Sequence, residues 1–428
     1  MDGLSQGTRT AMTTPKTPLA LLALLGPGIL VAATGVGAGD LATASFTGNK
    51  LGVAVLWAVV AGAGLKFVLN EGLARWQLAT GSTFLEGCVK HLGLPFRILF
   101  PLYLLPWSFF VGAALISACG VTVHAMIPVF DDPRHGMIVF GIIQSILGVV
   151  LVRAGGFKLF ERVMDVCIGI MFVTVLTTTV LLKPDWSAVL AGLTLPRIPQ
   201  MDSGGLGWTV ALIGGVGGTL TILCYGYWIR ESGRNGPEHL RTCRIDLAVA
   251  YAGTALFGIC MVIIGSRIVV TGKGAGLVVA LADCLAGPLG PVGKWAFLLG
   301  AWGAVFSSLL GVWQSVPYVF CDFCSMALKD SPAARAARLA TTSRCYRWYL
   351  YGLALVPMLA LQFSFREVQK YYAVLGAAFM PCLAFALLYL NGRSTLVGKP
   401  YRNRPLTVAV LSATLVFFAL AGWFGLSD

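Results

Sequence analysis

Long apolar runs, separated by short polar stretches, dominate the chain. About twenty apolar residues in a helix are enough to cross a bilayer. Eleven such spans can be read, at roughly 18–47, 51–75, 96–126, 136–153, 158–182, 206–231, 244–270, 292–320, 346–363, 368–391 and 405–425. Two of them are interrupted by glycine. Residues 18–34 run into Gly35-Val36-Gly37-Ala38-Gly39-Asp40 before Leu41, and residues 206–231 surround Gly214-Gly215-Val216-Gly217-Gly218-Thr219. Glycine weakens a helix and exposes its backbone. In lipid, a freed backbone group is tolerated only where protein or a water-filled cavity satisfies it. Paired interruptions in two halves of a chain point to a transporter binding site. The sequence therefore predicts non-helical backbone within 35–40 and 214–219, facing each other near mid-membrane.

The span count and break positions fit an all-α polytopic membrane protein, a LeuT-type five-plus-five inverted repeat with an eleventh helix. The expected division is a cytoplasmic tail over 1–17, a first five-helix repeat over 18–182 and an extracellular loop over 183–205. A second repeat follows over 206–391, then the eleventh helix and C-terminus over 392–428. Identity between the halves is negligible, so the repeat rests on span count and break positions alone. Val31-Ala32-Ala33 offers a small-residue cleavage site, but cleavage there would remove the first half of the broken helix, so a signal peptide is disfavoured.

Composition narrows the class. The chain is 57% hydrophobic and 11% charged, with mean hydropathy +0.81, which leaves no room for a large soluble domain. A net charge of +13 can signal nucleic-acid binding. Here the basic residues sit in short loops, which is a topology signal, and nucleic acid is not an expected partner. With the N-terminus in the cytoplasm, 21 of the 31 Lys and Arg fall inside and 9 outside, leaving Lys66 within span two. This predicts a plasma- or inner-membrane protein with its C-terminus outside. Lys66 is expected to snorkel to the cytoplasmic surface.

Enzyme signatures are missing. The four histidines are far apart and form no HExxH, and Gly293-Lys294 lacks the Walker context. No Ser/His/Asp set emerges, so neither catalysis nor a cofactor is expected. The scattered cysteines read as small packing residues, including the lone CxxC at Cys321 and Cys324.

The motifs resemble those of the Nramp family of divalent-metal/proton symporters. Gly26-Pro27-Gly28 through Gly39-Asp40-Leu41-Ala42-Thr43 is similar to the family's GPxxxxAxxxxDPGNxAT. Leu73-Ala74-Arg75-Trp76-Gln77-Leu78-Ala79-Thr80-Gly81 resembles the stretch that closes helix two. Lys158-Leu159-Phe160-Glu161-Arg162 resembles the entry to helix five. Ala211-Leu212-Ile213-Gly214 resembles the ALIGA before the family's MPHN, and Pro357 and Pro381 fall where the family has prolines. The resemblance runs over nearly the whole chain and implies alternating access.

The departures decide what the site is expected to hold. The family binds metal with the Asp and Asn of DPGN, a backbone carbonyl and a Met sulfur. By alignment its Asp falls on Gly37, its Pro on Ala38 and its Asn on Asp40, while the carbonyl falls on Gly215 and the Met on Gly218. One carboxylate is lost, one is gained and the sulfur is gone. Asp40, backbone carbonyls and hydroxyls such as Thr34, Thr219 and Thr221 form a hard-oxygen set, suited to Mg²⁺, Ca²⁺, Na⁺ or an ammonium group. The expected substrate-binding residues are Gly37, Ala38, Asp40, Gly215, Gly218, Thr219 and Thr221, with Asp40 and the carbonyls of Gly37 and Gly215 as metal ligands. Pro106, Trp107, Phe109 and Phe110 stand where the resemblance implies an acidic proton relay, so proton coupling is not expected; a Mg²⁺-moving branch of the family also lost such groups.

Three readings follow: transport of a hard divalent cation (Mg, Mn or similar), Na⁺-coupled transport of a small amino acid or other zwitterion, and a non-transporting membrane sensor or scaffold. In the second, half-helix N-termini hold a carboxylate and Asp40 an amine. Asp40 could also cap the second half of span one. Tyr225, Tyr227 and Trp228 are expected as interface aromatics. Glu161, Asp165 and Asp246 lie beside Arg162, Arg241 and Arg244 near cytoplasmic helix ends, where solvated structural pairs are expected and gating ion pairs are the alternative. Glu71 and Arg75 form an i,i+4 pair.

Overall fold

The structure, a computed structural model, describes residues 27–28, 36–155, 158–270 and 272–427. The N-terminal tail, most of the first half of span one, Thr34 and the candidate cleavage site lie outside the described residues.

A wide, π-type helical turn over Val36–Thr43 leads into α1, Ala44–Leu51. Then follow α2 (Leu56–Thr80), α3 (Phe84–His91), α4 (Gly93–Met126), α5 (Pro133–Ala154) and α6 (Lys158–Leu181). Next come α7 (Trp186–Thr194), α8 (Gly205–Gly215), α9 (Cys224–Glu231) and α10 (Leu240–Gly265). The chain ends with α11 (Leu277–Ala327), α12 (Pro332–Leu339), α13 (Arg344–Leu355), α14 (Phe365–Asn391) and α15 (Pro405–Ser427). No strand occurs among the described residues.

Burial sorts the spans. Residues 205–231 are the most enclosed, with 89% of the apolar stretch buried, against 11% for 405–423. Span six therefore runs through the centre and span eleven lies at the edge. Leu99, Leu102, Val150, Phe385 and Trp423 are exposed large apolar residues on the outer faces. In water such a surface would aggregate; in a bilayer it meets its own kind of solvent. The chain is an integral membrane protein.

Three segments differ from expectation. The stretch read as an extracellular loop, 183–205, contains α7, bent 116° from α6, with Asp185 accepting from Ser187 and Ala188 N–H groups at its start. Span eight belongs to a longer helix that kinks at Gly290, where φ is +65°. Span nine changes from α13 to a tighter 3₁₀ stretch at Val356–Gln362, because Pro357 lacks the N–H needed to continue.

Candidate functional site

The break in span six is narrower than its glycines suggest. Gly214 and Gly215 remain in α8, and the backbone departs at Val216 with ψ 122°. Gly217 and Gly218 take φ +72° and +84°, a region that disfavours any side chain. Thr219 precedes a 3₁₀ turn over Leu220–Leu223, which leads into α9.

The break in span one is different in kind. Described from Val36, it stays helical as a π-type turn instead of unwinding, which corrects the expected non-helical segment there. Span six has adjacent glycines, Gly217 and Gly218, both at positive φ, whereas Gly37 and Gly39 in span one are separated by alanine.

The two breaks touch. A Cβ on Gly39 would collide with the carbonyl of Gly215. Asp40, buried, reaches across, and its Oδ2 accepts the Gly217 N–H at 3.2 Å. Among the described residues no N–H of α1 donates to Asp40, which instead holds the break of the other span. Its Oδ1 has no hydrogen-bond partner among the described residues.

Lys66 is the residue that sequence reasoning misplaced. Its side chain is fully buried, and Nζ donates to the carbonyl of Gly214 at 2.7 Å and to that of Val216. It does not snorkel. Desolvating an ammonium costs several kcal/mol, which charge-assisted hydrogen bonds to freed carbonyls offset. Lys66 thus holds the carbonyls of Gly214 and Val216 while Asp40 holds the N–H of Gly217, all within one four-residue stretch. The warning was present in the sequence, since an ionisable residue inside an apolar span is functional by default.

Aromatic and amide groups complete the walls. Asn70 Nδ2 donates to Tyr251 Oη at 3.0 Å, and the Tyr251 ring lies beside Gly217 and within the field of Asp40. Trp107 Nε1 donates to Thr219 Oγ1 at 2.8 Å. The span-three wall, expected to be purely apolar, thus contributes one directed donor.

The expected residues are distributed as follows. Asp40, Gly215, Gly218 and Thr219 converge and are buried, and Thr221 is buried in the 3₁₀ turn. Gly37 and Ala38 lie in the π-type turn, and the Ala38 side chain is outside the description. The Gly215 carbonyl packs on Gly39, so the carbonyls offered to a cation are those on either side of it. Among the described residues no cluster of three or more His, Cys, Asp or Glu could hold a metal ion.

A second buried cluster lies where α9 meets α10. Asp246 Oδ2 accepts from Arg234 Nη1 at 2.9 Å, from Gly28 N at 2.9 Å and from Tyr225 Oη at 3.3 Å. Tyr227 Oη donates to Asp322 at 2.7 Å, and Asp322 also takes Arg335 Nε at 2.8 Å. Tyr225 and Tyr227 are therefore interior hydrogen bonders, not interface aromatics, and Asp246 is not in a solvated pair. The expected partner Arg244 instead donates to Glu71 at 2.7 Å, and Glu71 also accepts from Arg75 at 3.2 Å. The side chains of Glu161 and Arg162 lie outside the description. All eleven cysteines are free, in line with a packing role.

Comparison with known proteins bears on this geometry. A family model described as natural resistance-associated macrophage protein-like matches residues 28–427. The divalent metal cation transporter MntH of Verminephrobacter eiseniae is 24% identical over 258 residues, covering 58% of this chain and 56% of that one. MntH of Mycobacterium tuberculosis is 26% identical over 204 residues, 47% of this chain and 44% of its own. These matches span about half the length of those relatives. MntH of Burkholderia ambifaria is 22% identical over 434 residues, covering 96% of this chain and 90% of that one. Among solved structures, the Eremococcus coleocola manganese transporter in complex with an aromatic bis-isothiourea compound superposes with TM-score 0.66 at 17% identity, covering 98% and 89% of the two chains. MhsT in complex with L-phenylalanine superposes with TM-score 0.61 at 17% identity, covering 92% and 96%. Both share the LeuT-type fold with this chain.

Proposed function

Because this chain belongs to the natural resistance-associated macrophage protein-like family, we propose that it is a secondary transporter that moves a cation by alternating access, with a divalent metal ion as cargo. The relatives' names support the metal class. One observation carries the site: Asp40 is a buried carboxylate at the contact between the two broken spans, with one oxygen on Gly217 and the other without a hydrogen-bond partner among the described residues. A half-satisfied anion at membrane depth attracts a cation strongly. Backbone oxygens and Thr219 offer only hard donors, which favours Mg²⁺ or Mn²⁺ over softer ions. With Trp107, Phe109 and Phe110 in place of an acidic relay, cargo moves without coupled protons along span three. The excess of Lys and Arg in alternate loops supports a cytoplasmic N-terminus, with the Asp246 cluster on the same side.

Proteoliposome uptake of Mn²⁺ and Mg²⁺ tests this. Asp40→Asn keeps an acceptor for Gly217 but removes the charge, so uptake falls at least tenfold while the thermal transition of the purified protein stays in place. Unchanged uptake in that variant would move the site elsewhere. Lumenal acidification tracking metal entry would refute the uncoupled mechanism.

A second reading has one observation in its favour. Lys66 on the Gly214 and Val216 carbonyls and Asp40 on the Gly217 N–H put a basic and an acidic side chain at one break, a pairing that suits a small zwitterion such as an amino acid. Saturable amino-acid uptake without metal uptake would establish it over the first.

A further inference from the structure

Two features of the centre are at odds with a simple cation site. The carbonyls of Gly214 and Val216 are turned to one point, as carbonyls that coordinate an alkali or alkaline-earth ion are. That point is already taken by the Lys66 ammonium, fully buried, on a side chain anchored in α2 and not in either broken span. The ammonium also does not sit directly on Asp40: no ion pair closer than 4.0 Å joins them, whereas Arg234 lies 2.9 Å from Asp246. Lys66 is thus satisfied by backbone oxygens, and Asp40 keeps an oxygen without a hydrogen bond among the described residues.

We propose that Lys66 is a tethered cation that occupies the Gly214–Val216 carbonyl seat, so that cargo binding at Asp40 is opposed by a resident positive charge and no free monovalent co-ion is taken up there. The inference rests on the cation reading of Asp40. It assigns Lys66 as a specificity-determining residue with two consequences. The first is weak cargo binding. Like charges in a buried site repel far more than in water, so cargo enters only as the ammonium leaves its carbonyls. The second is independence from Na⁺. A dehydrated sodium ion seeks the same kind of seat, an apposed set of backbone oxygens, and the ammonium already fills it.

The physical logic also explains why Lys66 is tolerated. A span-six break leaves carbonyls without helical donors, and in a dry centre these must be satisfied. An ammonium with three donors does this without water or ion. The break is therefore held closed by the protein's own side chain when no cargo is present.

The test is Mn²⁺ titration calorimetry on purified full-length protein, paired with Mn²⁺ uptake in proteoliposomes with and without a Na⁺ gradient. Lys66→Gln, which keeps an N–H donor for a carbonyl and removes the charge, should bind Mn²⁺ at least tenfold more tightly than the wild type. Lys66→Met should do the same, and Lys66→Arg, which keeps the charge, should not. Uptake by the wild type should be indifferent to Na⁺, and uptake by Lys66→Gln should become Na⁺-stimulated as the vacated seat admits the ion. Equal or weaker Mn²⁺ binding in folded Lys66→Gln overturns the proposal, as does Na⁺ stimulation of the wild type, which needs no variant at all. Adding Asp40→Asn separates the two layers. If it abolishes Mn²⁺ binding while Lys66→Gln gains none, the tethered cation is wrong and the cation site stands. If it leaves Mn²⁺ binding intact, the cation site itself is wrong.

Discussion

Two buried aspartates in this molecule share a plan and differ in how it is completed. Asp40 and Asp246 each take a backbone N–H from a different span, Gly217 for the first and Gly28 for the second, and each has a cation nearby. Around Asp246 the cation donates straight to the carboxylate, Tyr225 adds a third donor, and the same oxygen carries all three. Around Asp40 that oxygen carries one donor, and the cation is turned away onto the Gly214 and Val216 carbonyls. The first arrangement is a latch, because breaking it strands a buried charge. The second is the candidate seat, because no cation donates to its carboxylate; Oδ1 lacks a hydrogen-bond partner among the described residues in both aspartates, so that feature alone does not separate them. A buried carboxylate alone does not distinguish the two; the donors around it do.

The largest expected effect falls on the latch. Arg234→Ala leaves Asp246 buried with its counter-charge gone, and removing one partner of such a pair costs about 3–5 kcal/mol. Thermal unfolding in detergent should show a clear drop, and a shift of less than a few degrees would mean that the pair is hydrated and that the contrast with Asp40 is false. Next comes the contact between the breaks. Gly39→Ala drives a methyl group into the Gly215 carbonyl, and backbone cannot rotate aside as a side chain can. Overpacking of this kind costs about 1–3 kcal/mol, and it should also lower uptake because Asp40 is pushed off Gly217. Full stability in Gly39→Ala would show that the two breaks are further apart than described. The smallest effect is at the wall of the seat. Trp107→Phe removes the donation to Thr219, worth about 1 kcal/mol. Uptake should fall by a few-fold with stability nearly unchanged; a loss as deep as that of Asp40→Asn would make Trp107 a cargo contact.

What could be read in advance was set by local chemistry. Apolar span length marked the helices, and the glycines at 35–39 and 214–218 marked both breaks, because each is a property of a short stretch of chain. Asp40 was legible for the same reason: it is a carboxylate inside an apolar span, next to glycine. Lys66 satisfied the same rule but was explained away by the length of its side chain. Whether a lysine reaches the surface or an interior carbonyl depends on which helix lies beside it, and that neighbour, α8, is 148 residues away in sequence. The expected pairing of Asp246 with Arg244 failed for a different reason: Arg234 and Arg244 both sit near Asp246 in sequence, and only the packing sends Arg244 to Glu71.

The sequence by itself determined the class, a polytopic helical membrane protein with two interrupted spans, because bilayer thickness and backbone hydrogen bonding leave few alternatives. It also offered a hard-oxygen donor set around Asp40 as an expectation, drawn from the family resemblance. Only the tertiary structure decided that Asp40 holds the other span's break and that an ammonium fills the Gly214 and Val216 carbonyls. Each of these depends on the approach of groups far apart along the chain, through hydrogen bonds that act over about 3 Å and that no local pattern encodes.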